Sequence, residues 1–310
     1  MPHSPSTSLP QLNIIGTGAM ACLFGARLAS VAHVTLVGTW PEGLAALREH
    51  GITVEGEAPV AVQATHLTES IPPADFALVL VKAWQTPAIA AQLPRLLKPD
   101  GLALTLQNGI GNWEMLADVL GAERAWPGVT TQGATLLGPA HVREGGHGLT
   151  HLPDHPRLVP LAELLRAAGF DISQSPISSL QSLLWGKLVV NCGINALTAL
   201  LRAPNGELLN RPDAAYLMER AATECAQVAA AFNIQLPFAD PVERVRAVAQ
   251  ATAINHSSMF QDILRGVHTE IDAINGAVMR QGATVNVPTP VNETLWRLVR
   301  ASVDTVNRTD

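Results

Sequence analysis

The sequence predicts a two-part α/β protein, with a doubly wound, mostly parallel sheet over residues 11–175 and an all-helical part over 176–310. Three observations carry this. Short apolar runs alternate with helical patterns through the first half, a glycine-rich turn follows the first such run, and beyond Pro176 the strand-like runs give way to long segments of helical period. A chain of 310 residues is long enough for two domains with separate cores. Residues 1–10, rich in Pro and Ser, read as a flexible tail.

Taken in order, residues 12–16 form an apolar strand that feeds the turn, an Ala/Leu-rich helix follows, and residues 34–37 make the second strand of a βαβ unit. Residues 76–81 (FALVLV) are continuously apolar, as a strand covered on both faces requires, and 102–106 repeat the pattern after Pro99 and Gly101. Gly16, Thr17, Gly18, Ala19, Met20 and Ala21 form a G-x-G-x-x-A turn between strand and helix. Glycines there let the backbone approach a pyrophosphate at the helix N-terminus. The first 175 residues therefore read as a Rossmann-type dinucleotide-binding domain. Helices are expected over 178–202, 211–232, 240–252, 258–282 and 289–306, separated by PNG, LPF and VPTP punctuation.

Composition narrows the partners. With 26 acidic and 20 basic residues the formal net charge is −6, so no basic field invites nucleic acid or an anionic membrane surface. Apolar runs are expected to stop short of a membrane span, and the N-terminus lacks the basic and apolar regions of a signal peptide. Cys22, Cys192 and Cys225 lie far apart without CxxC spacing, which argues against structural zinc and a disulfide framework and fits a reducing cytoplasm. A small-molecule ligand and no metal are the expectation, in a monomer or a homodimer.

Several polar residues then stand out. Lys82 and Asn108 follow the second pair of strands, at the carboxyl edge where open α/β sheets bind ligands, and Gly109 and Gly111 open the backbone around Asn108. In LLWGKLVVNCGINALTALL, Lys187, Asn191 and Asn195 stand at i, i+4 and i+8, one polar stripe on an otherwise apolar and hence buried helix. An amine and two amides so placed need partners, which a substrate's carbonyl and carboxylate oxygens would supply. Ser258, with Gln261 three residues on, reads as a helix N-cap that is also placed to meet an anion. Glu270, read inside the same helix, is either an exposed face residue or a positioned acceptor.

These motifs together resemble the ketopantoate reductase (2-dehydropantoate 2-reductase) family: GTGAMA, KAWQ, QNGIG, GKLVVNCGINALTAL, APNGEL and SSMFQDILRGVHTEID followed by ING, spread over nearly the whole chain. The resemblance implies an NADPH-dependent oxidoreductase of pantothenate biosynthesis acting on a 2-keto acid. Lys187 would be the proton donor, and Glu270, also catalytic, would lie by the nicotinamide and substrate. Asn108, Asn191, Asn195, Asn205 and Ser258 would contact substrate. Residues 16–21, Lys82, Asn108, Ala134 and Glu270 would border the cofactor. The chain departs from the family at Thr39, where a basic residue usually grips the cofactor's 2'-phosphate, and it has no acid at 38–40 for a ribose 2'-hydroxyl. NADPH is the expected cofactor, with NADH the other form the turn accepts. The rival readings are a reductase of another branched 2-keto acid and a catalytically silent dinucleotide-binding redox sensor.

Overall fold

A computed structural model describes residues 9–304. Of the tail expected over 1–10, only Leu9 and Pro10 fall among them. The chain forms two compact units: one holds the residues up to Val81, Gln85–Gln107 and Trp113–Leu180, the other Lys82–Trp84, Asn108–Asn112 and the chain from Gln181 onward.

The first unit is built on six parallel strands: β1 (Gln11–Ile15), β2 (His33–Gly38), β3 (Gln63–His66), β4 (Ala74–Val79), β5 (Leu97–Thr105) and β6 (Ala125–Pro127). Their order is β3-β2-β1-β4-β5-β6, so the chain leaves β1 in one direction along the sheet and returns to it for the other half. Successive side chains point to opposite faces, and both faces are buried. Leu12, Ile14, Leu36, Leu78 and Leu104 join a core with helices Ala19–Leu28 and Val159–Ala167. Ile15, Val37, Ala77, Val79 and Ala103 face Leu93, Leu96, Leu116 and Leu120 on the other side.

The parallel sheet ends sooner than the sequence suggests. After Pro127 the chain supplies five strands of two three-stranded sheets that mix parallel and antiparallel pairs: Ala134–Gly138 and His141–Glu144 join the earlier Thr53–Val54, and Val129–Thr130, Thr150–Pro153 and Ile172–Ser175 form the other. Only one helix longer than a single turn, Val159–Ala167, lies in this stretch, so most of its strands return through tight turns rather than crossover helices.

The second unit is helical. Helices Ile177–Leu201, Pro212–Ala231, Pro241–Ala251 and Pro290–Asp304 fall where the apolar period places them, apart from positions 305 and 306, which lie outside the described residues. The expectation of one helix over 258–282 is corrected: helix Ser258–Leu264 stops, residues 265–274 turn, and helix Asn275–Thr284 begins. Gly266 explains the stop. Its N–H bonds the Ile263 carbonyl and the Val267 N–H bonds the Asp262 carbonyl, the paired bonds of a glycine-terminated helix. Membrane length is a second correction, since Ile177–Leu201 has 25 residues and an 18-residue stretch of mean hydropathy 1.4, enough by length and composition to cross a bilayer. In this fold 67% of its most apolar stretch is buried, and its Trp185, Leu188, Val189, Ile194 and Leu197 form the core of the helical unit.

A buried acid locks the last helix to that core. Glu224 Oε1 accepts the Val291 N–H at 3.0 Å, and Oε2 accepts the Asn292 N–H at 3.0 Å and its side-chain amide at 2.9 Å. Glu224 thus caps Pro290–Asp304 from another helix, and Asn292 passes the link through Asn275 to the Cys192 carbonyl. Glu224→Ala leaves these donors unsatisfied in the interior, so we expect urea denaturation to show a loss of about 3 kcal/mol. A loss below about 1 kcal/mol would mean that the cap is dispensable.

Candidate active site

Candidate residues lie in the sheet unit and, separately, in the helical unit. In the former, Gly16 takes φ +134° and donates its N–H to the Val37 carbonyl at 2.7 Å, so the turn is tied to the end of β2. A Cβ at Gly16 would stand 3.1 Å from the Leu80 backbone. A Cβ at Gly18 would meet nothing within 4 Å, so the turn faces open space there. Gly18 is the N-cap of Ala19–Leu28, with no side-chain cap and no acid in the first turn. The first-turn N–H groups that a helix start leaves without intrahelical partners, and the helix dipole, suit a pyrophosphate, and the residues present fit a dinucleotide. Thr17 and Ala21 are buried while Ala19 and Met20 are half-buried, and Thr39 is exposed just beyond β2. Ala134 opens one of the short strands in the same unit and is half-buried.

The helical unit holds a compact group of charges. Glu270 is 5% exposed. Its Oε1 accepts the Ala83 N–H at 3.1 Å, its Oε2 accepts the Asn108 side-chain amide at 3.1 Å, and the Lys82 ammonium stands 3.9 Å from Oε2. The exposed-face alternative for Glu270 therefore fails. Its position is corrected too, because it lies in the 265–274 turn rather than inside a helix. Asn108 is set by its loop: a Cβ at Gly109, which takes φ +82°, would lie 2.2 Å from the Ala273 carbonyl oxygen, so only glycine allows this approach. The Ile110 N–H bonds that same carbonyl at 3.2 Å, and Asn112 holds the Asn108 carbonyl at 3.0 Å.

Lys187 is half-buried on Ile177–Leu201, with half-buried Asn191 and buried Asn195 following on the same stripe. Burial lowers its ammonium pKa from 10.5 to about 8, while the Glu270 carboxylate pulls in the opposite direction. An amine in this range donates a proton readily near neutral pH and is still largely charged there.

Ser258 is corrected from cap to first helical residue. Ser257 is the N-cap, its hydroxyl accepting the Phe260 N–H at 3.1 Å. The same hydroxyl pairs at 2.7 Å with Thr198, three residues beyond Asn195, so the half-buried Ser258 is fixed relative to the lysine helix. Asn205 is tied elsewhere, by its amide to Thr252 at 2.8 Å and by its N–H to the Asn255 carbonyl at 3.0 Å. Its side-chain carbonyl is buried without a partner.

Asp262 does not stand out among the sequence motifs, yet it belongs to this group. It is 1% exposed and accepts from Lys82 at 2.7 Å and from Arg265 at 2.8 Å. Its spacing three residues after Met259, on the buried side of the helix, is the one local signal that points to it. Among the described residues there is no cluster of His, Cys, Asp and Glu able to hold a metal.

A family model described as ketopantoate reductase PanE/ApbA matches residues 12–157, and its C-terminal counterpart matches residues 179–303. The 2-dehydropantoate 2-reductase of Archaeoglobus fulgidus is 35% identical over 297 residues, covering 94% of this chain and 97% of the relative. That of Halobacterium salinarum is 36% identical, covering 92% and 96%. Among solved structures, a PanE/ApbA family ketopantoate reductase from Ralstonia eutropha JMP134 superposes with a TM-score of 0.89 at 30% identity, over 96% of this chain and 100% of that one. The ternary structure of D-mandelate dehydrogenase with NADH and anilino(oxo)acetate also gives 0.89, at 29% identity over 96% and 99%. Two family models that between them take in most of the chain, with relatives above 30% identity along nearly their whole length, establish that this chain belongs to the ketopantoate reductase family.

Proposed function

We propose that this chain reduces the keto carbon of 2-dehydropantoate to give pantoate, in the pathway to pantothenate, with a reduced nicotinamide dinucleotide as second substrate. The observation that carries the reading is Lys187, an amine whose pKa burial lowers to about 8 against the opposing pull of the Glu270 carboxylate, in a chain of this family. The reduced nicotinamide supplies the hydride. The chain's own residues do the rest. The Lys187 ammonium hydrogen-bonds the keto oxygen and gives it a proton as negative charge develops there. Glu270 favours the charged amine and offers a carboxylate oxygen to a substrate hydroxyl.

Asn191, Asn195 and Ser258 hold the substrate carboxylate. Asn108, fixed by Glu270 and its loop, touches both substrate and cofactor, and the unpartnered Asn205 carbonyl accepts a substrate hydroxyl. Residues 16–21 take the pyrophosphate, bordered by Lys82 and Ala134. A silent redox sensor has no use for a proton donor with a buried carboxylate beside it.

For the cofactor we propose NADPH, because no acid stands at 38–40 to hold a free ribose 2'-hydroxyl or repel a phosphate. NADH is the second reading, favoured by Thr39 and by the NADH complex of D-mandelate dehydrogenase. Three unbridged buried thiols support a reducing, cytoplasmic setting. The deciding experiment measures kcat/KM for NADPH and NADH against 2-dehydropantoate and a panel of branched and aromatic 2-keto acids. Preference for 2-dehydropantoate with NADPH is expected. A clear preference for an aromatic keto acid with NADH would replace this reading with that of a D-2-hydroxy acid dehydrogenase.

Lys187→Ala should lower kcat about a hundredfold or more while calorimetry finds cofactor affinity unchanged. A folded variant with near-normal kcat would remove Lys187 from the chemistry. Because the charged amine is the donor, kcat/KM for reduction should be level below the Lys187 pKa and fall as pH rises through about 8. A profile flat to pH 10 would contradict the assignment. Gly18→Val fills the open side of the turn, and calorimetry should register at least a tenfold weaker grip on the dinucleotide; unchanged affinity in a folded protein would place the pyrophosphate elsewhere.

A further inference from the structure

The proposed mechanism gives Asp262 no part, yet its surroundings are unusual for a structural acid. Its carboxylate is 1% exposed on a seven-residue helix and already has a cation from the residue that ends that helix, Arg265 at 2.8 Å. A second cation, Lys82, reaches it at 2.7 Å from 180 residues away in sequence. Burial pushes the Asp262 carboxyl above its ordinary range even against both cations, so an asparagine would sit there with less penalty. The cost is explained by what the second bond does to Lys82.

Lys82 stands between two carboxylates, hydrogen-bonded to Asp262 at 2.7 Å and 3.9 Å from Glu270. Glu270 takes its own hydrogen bonds from the uncharged Ala83 N–H and Asn108 amide, and it acts electrostatically on Lys187. The signs alternate from Arg265 through Asp262, Lys82 and Glu270 to Lys187. We propose that Asp262 is a positioning residue for proton transfer: by holding the Lys82 ammonium at 2.7 Å, it keeps that cation from closing further onto Glu270, 3.9 Å away, and leaves more of the Glu270 carboxylate's field to act on Lys187. The inference rests on the reading of Lys187 as proton donor.

Loss of the Asp262 charge has one sign. Lys82 and Arg265 are no longer neutralised, Lys82 pairs with Glu270, and the ammonium form of Lys187 becomes less favourable. Loss of the Lys82 charge has the opposite sign, since the cation 3.9 Å from Glu270 is then gone. Other ionisable groups on nearby elements are engaged elsewhere: Glu224 by Val291 and Asn292, and His268 against Trp84 with ring centroids 5.4 Å apart. The Cys225 thiol is pushed well above its ordinary value by burial.

The test measures the titration midpoint of Lys187 in the full chain by acetic anhydride labelling across pH, read by peptide mass spectrometry, alongside the alkaline limb of kcat/KM. Asp262→Asn should lower both by roughly half to one pH unit, Lys82→Gln should raise both, and Asp262→Glu should return them toward the unaltered protein. Unmoved midpoints in folded Asp262→Asn and Lys82→Gln would overturn the proposal, and should Asp262→Asn fail to fold, Lys82→Gln alone decides it by the sign of its shift. Midpoints that move as expected in a protein inert toward every keto acid would uphold Asp262's control of Lys187 and sink the reductase reading instead.

Discussion

A carboxylate almost wholly removed from water is tolerated only where donors and cations replace the water it loses, and Glu270 draws them from three parts of the chain. Ala83 gives a backbone N–H, Asn108 an amide and Lys82 a nearby charge, while Lys187 stands within its field. The loop glycine at 109 and the turn over 265–274 both serve this acid. Gly109 brings the Asn108 loop against Ala273, and the Gly266 stop releases the chain from helical geometry four residues before Glu270. Were Glu270 uncharged, these contacts would lose most of their purpose.

The lysine helix illustrates how one composition serves two ends. Ile177–Leu201 is apolar nearly all round because the other helices of its unit cover it, and that covering desolvates Lys187. Packing and acid strength thus have one source. Asn275, bonded to the Cys192 carbonyl and in turn to Asn292 and Glu224, ties this helix to the end of the chain. The same buried network that holds the last helix therefore fixes the backbone between Asn191 and Asn195.

Much of this is legible in the sequence, for identifiable reasons. Strands buried on both faces leave runs such as FALVLV, and a polar stripe at i, i+4 and i+8 on an apolar helix is visible without coordinates. The break at Gly266 is masked because apolar residues return at Ile271 and Ile274 in apparent helical phase. Ser257 and Ser258 are adjacent, and only the hydrogen bond to Phe260 tells cap from first helical residue. Asp262 and the Ala83 N–H are hidden for a different reason. Their partners lie nearly 200 residues away, and no local pattern encodes such a pairing.

That separation has a consequence for how the protein is made. Segments Lys82–Trp84 and Asn108–Asn112 belong to the helical unit, although they are synthesised in the midst of the sheet strands. Lys82 and Ala83 meet Asp262 and Glu270 across 180 and 187 residues, so on a growing chain both segments emerge long before the acids they will hold. The sheet's strands can pair while the ribosome is still working, but the charge cluster cannot assemble until residue 270 has cleared the exit tunnel. A truncated product ending before that point carries the dinucleotide turn without the carboxylate that governs the lysine.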